Sequence, residues 1–221
     1  MILGALSGVA RGLTAPLVRP TAVLPSLSRR LAGTESKQDE QMNTDGKPVE
    51  LSAPVTKRDH VRGSLDSPVV LLEYGDYECP YCGRAYWVIK ELLDQLGHKL
   101  AFVFRNFPVT ETHPRADAVA EALEAAGGQG RFWEMHDWFY EHQHQLEGID
   151  LERHAGDIGL DVELWRKELR ERAHRDRVHE DLETGRQSGV TGTPTLFMNG
   201  VRYQGEYDFE SMVTAIEQAG G

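Results

Sequence analysis

Val69-Val70-Leu71-Leu72-Glu73-Tyr74-Gly75-Asp76-Tyr77-Glu78-Cys79-Pro80-Tyr81-Cys82 carries both cysteines of the chain. Its first six residues are a short aliphatic and β-branched run and predict a buried strand. Gly75 to Glu78 turn the chain. From Cys82 onward Ala85, Ile89, Leu92, Leu93 and Leu96 recur at helical spacing, so a helix starts near Cys79. Two cysteines separated by two residues, between a strand and a helix, form a redox motif. The first turn of a helix has unpaired N–H groups and the positive end of the helix dipole, which favour thiolate over thiol. Cysteines so placed have pKa values of about 3.5–7.5, against roughly 8.5 for a free thiol. Cys79 is therefore the expected nucleophile. Cys82, one turn further in, is expected to be less exposed and to attack the mixed disulfide formed at Cys79.

Two other uses of the cysteines are weaker. Zinc would need two more ligands, there is no second Cys pair, and none of the nine His lies near the motif in sequence. A structural disulfide closing so short a loop would constrain the unfolded chain little. No metal and no cofactor are expected.

Downstream, Val190-Thr191-Gly192-Thr193-Pro194-Thr195-Leu196-Phe197-Met198-Asn199-Gly200 reads as a loop, a proline, a short strand and an Asn-Gly hairpin turn into Val201-Arg202-Tyr203. Proline at the head of a strand is by itself an edge marker, and sequence leaves the isomer of the Thr193–Pro194 bond open. Between Pro108 and Gly189 no convincing strand occurs. Pro114 suits the start of a helix carrying Ala116, Val119, Ala120 and Leu123, stopped by Gly127-Gly128. Phe132, Met135, Trp138 and Phe139 mark a second helix, and Leu151–Ile158 a short third. Asp161 is expected to cap one long charged helix from Val162 to about Thr184, ended by Gly185. The charges of residues 166–183 are read as a solvated face.

Cys-Pro-Tyr-Cys after a strand, with Thr-Pro before a later strand, resembles the thioredoxin superfamily. The helical block between them resembles the disulfide-bond protein A (DsbA) plan. Residues 73–82, Phe104-Arg105-Asn106-Phe107-Pro108 and residues 129–137 are similar to a bacterial DsbA-like branch also found fused to sodium/proton antiporters. The resemblance covers roughly Asp59 to the C-terminus. It implies an α/β thioredoxin-like fold over residues 51–221, with a helical subdomain inserted at about 109–189. It also implies a cis Pro194 facing the cysteines, a Thr193 backbone that pairs with an extended client, and a Glu73 beneath the disulfide that moves protons to and from the buried cysteine. Pro80 fits the helix first turn. Strongly oxidising family members have histidine where this chain has Tyr81. Lacking that charge, Cys79 is expected to be less acidic and the disulfide less oxidising. Arg105 and Asn106 are assigned no role.

The expected activity is protein thiol–disulfide exchange, with thiol or disulfide clients and a redox partner as the macromolecules involved. Two alternatives stay open: a glutathione-dependent transferase or isomerase acting on small molecules, and a non-catalytic peptide-binding or redox-sensing module. A net charge of −11 from 24 basic and 35 acidic residues, with no basic patch, argues against nucleic acid. No apolar run reaches transmembrane length. Residues 1–50 are expected to be a disordered extension. Residues 1–34 hold four Arg and no acid, which resembles an organellar transit peptide. A start at Met42 is the other reading, and the expected location is then cytoplasmic.

Overall fold

The computed structural model describes residues 48–145 and 151–220. The expectations for residues 1–47, disorder included, lie outside the described residues. Strand β1 (His60–Arg62), β2 (Val69–Gly75), β3 (Leu100–Asn106), β4 (Thr195–Met198) and β5 (Val201–Arg202) form one sheet in the order β1-β3-β2-β4-β5. The β2–β3 pair is parallel and the other three pairs are antiparallel. Helix α1 (Pro80–Leu96) makes the β2–β3 crossover. The helices α2 (Ala116–Gly128), α3 (Phe132–Glu141), α4 (Leu151–Asp157), α5 (Val162–Glu171) and α6 (Arg175–Gln187) separate β3 from β4, and α7 (Phe209–Gly220) follows β5.

Side chains alternate across a strand, and β2 shows what each face packs. Val69 and Leu71 join the larger core, which holds Ile89 and Leu92 of α1, Leu123 of α2, Met135 and Phe139 of α3 and Ile216 of α7. Leu72 and Tyr74 join a second core on the opposite face, with Phe107, Val190, Phe197 and Leu182 of α6. Glu73 has the parity of Leu71 and so enters the larger core.

The Asn199-Gly200 turn is as expected: both residues have positive φ, 49° and 83°, which the twist of a two-residue hairpin requires. Two expectations change. The single helix from Val162 to Thr184 is two, because Arg172 adopts a left-handed conformation (φ 52°) that ends α5. Asp161 does cap α5, accepting from the Leu164 N–H. The charged face of residues 166–183 is also not wholly solvated. Asp181 is buried and accepts from the Asn106 backbone N–H, while pairing with Arg177. Strand β1 was not legible, and pairing begins before residue 51, since Glu50 bridges Val201. Arg105, given no role by sequence, is a structural anchor. It binds Asp59, the carbonyls of Ala53 and Pro54, and the Tyr74 hydroxyl.

Candidate active site

Cys79 is the N-cap of α1, with Pro80 in the first turn and no side chain capping the helix start. The free N–H groups there are consequently available to the sulfur. Cys79 and Cys82 are both free and buried, and they lie 3.8 Å apart. The Thr193–Pro194 bond is cis, and the Cys79 Sγ–H donates to the Thr193 carbonyl at 3.3 Å. The sheet thus brings Cys79, Cys82, Thr193 and Pro194 together across some 110 residues of sequence.

The two sulfurs are electrostatically unlike. Cys79 is pushed down to about 5, chiefly by the hydrogen bond from Cys82. Burial opposes this, and the Thr193 side chain and the N–H groups of Cys82 and Tyr81 add to it. Cys82 is raised well above its ordinary value, first by burial, then by its bond to Cys79 and the nearby charge of Glu73. The Asp76 backbone N–H, at 3.5 Å, is a counteracting donor to its sulfur.

Glu73 is 2% exposed, so its carboxyl does not reach water at the strand end. Burial raises it to about 8. The hydrogen bond with Cys82 opposes that rise and repulsion from Cys79 adds to it. Its Oε1 accepts no hydrogen bond among the described residues. Tyr81 is 61% exposed, with the Arg84 guanidinium 4.4 Å from its ring centroid. Both line an open groove of about 660 Å³ that runs past Thr193 and Pro194 to Glu206 and Tyr207.

Sequence reasoning missed the residues that hold the turn. The Asp76 carboxylate accepts from the backbone N–H groups of Glu78 and Val109 and pairs with His113 Nδ1 at 2.7 Å. An Asp followed two residues later by a turn N–H is a local capping pattern, so this one was in principle readable. Gln143 donates to the carbonyls of Tyr77 and Cys79 from the turn that follows α3. Nothing local announces it.

A free dithiol at a helix start, faced by a cis-proline loop and carried on this sheet, defines a thioredoxin-fold protein with a helical insertion. The family described as thioredoxin matches residues 55–218. The chain belongs to the thioredoxin family. Its fold is similar to that of BdbD from Bacillus subtilis in the oxidised form, with TM-score 0.67 and 22% identity over 78% of this chain and 98% of that one. It is also similar to alpha-DsbA1 from Wolbachia pipientis, with TM-score 0.65 and 18% identity over 77% and 94%. Among curated proteins it is 44% identical, over 77% of its length, to the Na(+)/H(+) antiporter NhaA 1 of Salinispora arenicola. It is likewise 44% identical over 76% to that of Mycolicibacterium vanbaalenii. The chain spans only 26% and 28% of those two relatives, so it matches one segment of each. Among the described residues no helix is long and apolar enough to cross a membrane.

Proposed function

We propose that the protein is a thiol–disulfide oxidoreductase that exchanges disulfides with protein clients, and that it is poised to donate them. The observation that carries the reading is the placement of Cys79 at the start of α1, beside Cys82 and against the Thr193 carbonyl; the opposed shifts, Cys79 held near 5 and the Glu73 carboxyl near 8, agree with it. A low-pKa sulfur is a good leaving group. A buried carboxyl that is protonated at neutral pH is a proton donor.

In donation, a client thiolate attacks Cys79 of the Cys79–Cys82 disulfide. A client–Cys79 bond forms, the Cys79–Cys82 bond breaks, and Cys82 takes the electron pair and a proton from Glu73. A second client thiolate then attacks the client sulfur and expels Cys79 as thiolate. The client gains a disulfide and loses two electrons to the protein. A redox partner that accepts those electrons completes the cycle, and the same steps reversed make the protein a reductase. The Thr193 backbone beside Pro194 offers strand-type hydrogen bonds to an extended client, and Tyr81 and Arg84 wall the groove it would follow.

A Cys79 near 5 is less acidic than the roughly 3.5 of DsbA, in line with the expectation drawn from Tyr81. Tyr81 adds no charge, yet Cys82 and the helix-start N–H groups suffice to stabilise the thiolate. The test is oxidation of a reduced two-cysteine peptide by the oxidised protein. Cys79→Ser and Cys82→Ser are both expected to abolish it, since neither can hold the disulfide, and with a disulfide client in place of the reduced one Cys82→Ser is expected to stop at a mixed disulfide on Cys79. Full turnover by Cys82→Ser would favour a monothiol reaction on small molecules, and turnover by Cys79→Ser would remove the reading altogether.

A further inference from the structure

The groove that passes the Thr193–Pro194 loop has two walls of opposite charge, held apart by open space. On the α1 side the exposed Arg84 lies over the Tyr81 ring. That contact engages the guanidinium without neutralising it. The facing wall is the loop from β5 to α7, with Gly205, Glu206, Tyr207 and Asp208. Its own residues hold this loop in one shape. The Tyr203 hydroxyl donates to the Glu206 carbonyl at 3.0 Å, and the Tyr203 and Tyr207 rings stack with centroids 5.9 Å apart. A Cβ at Gly205 would come within 2.2 Å of the Tyr203 hydroxyl, so any side chain there would displace the ring. Asp208 caps α7, accepting from the Ser211 N–H at 2.9 Å through Oδ1, which leaves Oδ2 for another donor. Glu210 follows in the first turn of α7. Among the described residues Arg84, Glu206 and Asp208 enter no ion pair.

We infer that this groove selects clients whose reacting cysteine is flanked by Lys or Arg, with Glu206 and Asp208 as the specificity-determining residues. The inference rests on the reading of the protein as a protein thiol–disulfide oxidoreductase, and it adds the chemical class of the clients. An extended client paired with the Thr193 backbone advances about 3.3 Å per residue, with side chains alternating in direction. Its cysteine meets Cys79, so the residues on either side of that cysteine pass along the walls. Glu206, Asp208 and Glu210 outnumber Arg84 there, and the groove is net negative. A basic flank is attracted and an acidic one repelled. The carboxylates stay in contact with solvent, so each charge acts with the modest strength of an exposed pair and is screened by salt.

The experiment uses single-cysteine peptides, each carried as a mixed disulfide with thionitrobenzoate, and an excess of the reduced full chain. The peptide cysteine is flanked on both sides by Lys, Ser or Glu. The Cys79 thiolate attacks the peptide sulfur, the Cys79–peptide bond forms, and thionitrobenzoate leaves with the electron pair and is read by its absorbance. Each rate is divided by that of the same peptide with mercaptoethanol, a neutral thiol, which removes the effect of the flank on the peptide's own reactivity. The parent is expected to favour Lys over Ser and Ser over Glu by about two- to fivefold at each step in dilute salt. Most of that preference should vanish at about 1 M salt, where the Debye length is roughly 3 Å. Glu206→Gln with Asp208→Asn removes two charges and keeps the α7 cap, because Asn caps as well as Asp. In that variant the Lys-to-Glu ratio is expected to fall toward one. Asp94→Asn with Glu217→Gln removes two exposed charges outside the groove and should leave the ratio as in the parent. Should the first pair fail to fold, Glu206→Gln alone decides, with a smaller ratio than the parent expected. Equal rates for the three peptides in the parent overturn the selectivity, and so does a ratio that survives the groove variants or falls equally in the distant pair. Absence of Cys79-dependent release with every peptide overturns instead the reading of the site itself.

Discussion

Replacing Glu73 by Gln should stabilise the protein by an amount that grows with pH. The carboxyl titrates at about 8 in the fold, against about 4.5 in the unfolded chain. Between those values the folded form holds a proton that the unfolded form has released, so stability falls as pH rises. Below about pH 4.5 the penalty is absent, and above about 8 it is constant. At 1.36 kcal/mol per pK unit, the penalty is about 0.8 kcal/mol at pH 5 and about 3.4 kcal/mol at pH 7. Gln does not titrate and carries no such penalty. Its own fit in the core adds an offset of either sign that does not vary with pH. The difference in unfolding free energy between Glu73→Gln and parent should therefore rise by about 2.5 kcal/mol from pH 5 to pH 7. In a domain of this size that corresponds to roughly 5–10 °C in Tm. The assay is urea unfolding at pH 5, 6 and 7, with both proteins carrying Cys79→Ser so that titration of the thiolate does not enter. Burial, the largest cause of the shift, survives that change. A difference that stays flat across pH 5–7 would mean that the carboxyl is solvated and titrates normally, and the acid role would fall with it.

Other expectations follow from the same geometry. The rate of Cys79 alkylation by iodoacetamide should rise with pH around a midpoint near 5, with Cys82 unreactive in the folded protein; a midpoint near that of a free thiol would contradict the stabilised thiolate. At pH 7 a thiol titrating near 5 favours the reduced form by about 2.7 kcal/mol, or about 60 mV. The reduction potential in glutathione buffers should then lie between the roughly −270 mV of thioredoxin and −120 mV of DsbA; a value below that range would make the protein a reductase. Because thiolate stabilisation acts only on the dithiol, the reduced protein should also unfold at a higher urea concentration than the oxidised one at pH 7, and that advantage should shrink as the pH falls through 5. Arg105→Leu should cost about 3–5 kcal/mol, because it strands the buried Asp59 carboxylate; urea unfolding at pH 7 measures it, and a loss under 1 kcal/mol would show that Asp59 finds water or another cation.

What the sequence shows of this molecule divides by range. The strand before Cys79, the helix after it, the Asn-Gly hairpin and the Asp161 cap were legible because each is written in residues next to one another. The site's two halves were legible for a different reason. Cys79–Cys82 and Thr193–Pro194 are each a compact pattern, and resemblance to a known family supplied their meeting. The break at Arg172 was hidden because arginine is an ordinary helix former. Its guanidinium binds Asp117 and Glu121 on α2, a tertiary contact that accompanies the left-handed turn. His136 was read only as part of an aromatic helix, and most of that helix is core. Its bond to Tyr77 spans 59 residues and depends on α3 packing beneath the cysteine turn.

The charged residues under the cysteines also show why the inserted helices belong to the site. Glu73 and Cys82 both lose solvation when buried, and each is raised by it. A sheet and α1 alone would cover one side of Glu73. Helix α3 closes the other, packing Tyr140 and His136 against Tyr77 in one cluster of tilted and edge-on rings. The Tyr140 hydroxyl is buried without a partner among the described residues, and the charges of Cys82 and Glu73 raise its pKa further. Such a layer excludes bulk water yet leaves polar atoms facing the carboxyl. Without it, Glu73 would return toward an ordinary carboxylate, ionised at neutral pH. Removing the Tyr140 ring should then lower the Glu73 pKa more than removing its hydroxyl, since desolvation is the larger cause. Carboxyl titration followed by infrared spectroscopy in Tyr140→Ala and Tyr140→Phe separates the two, and equal shifts would contradict this account of the insertion.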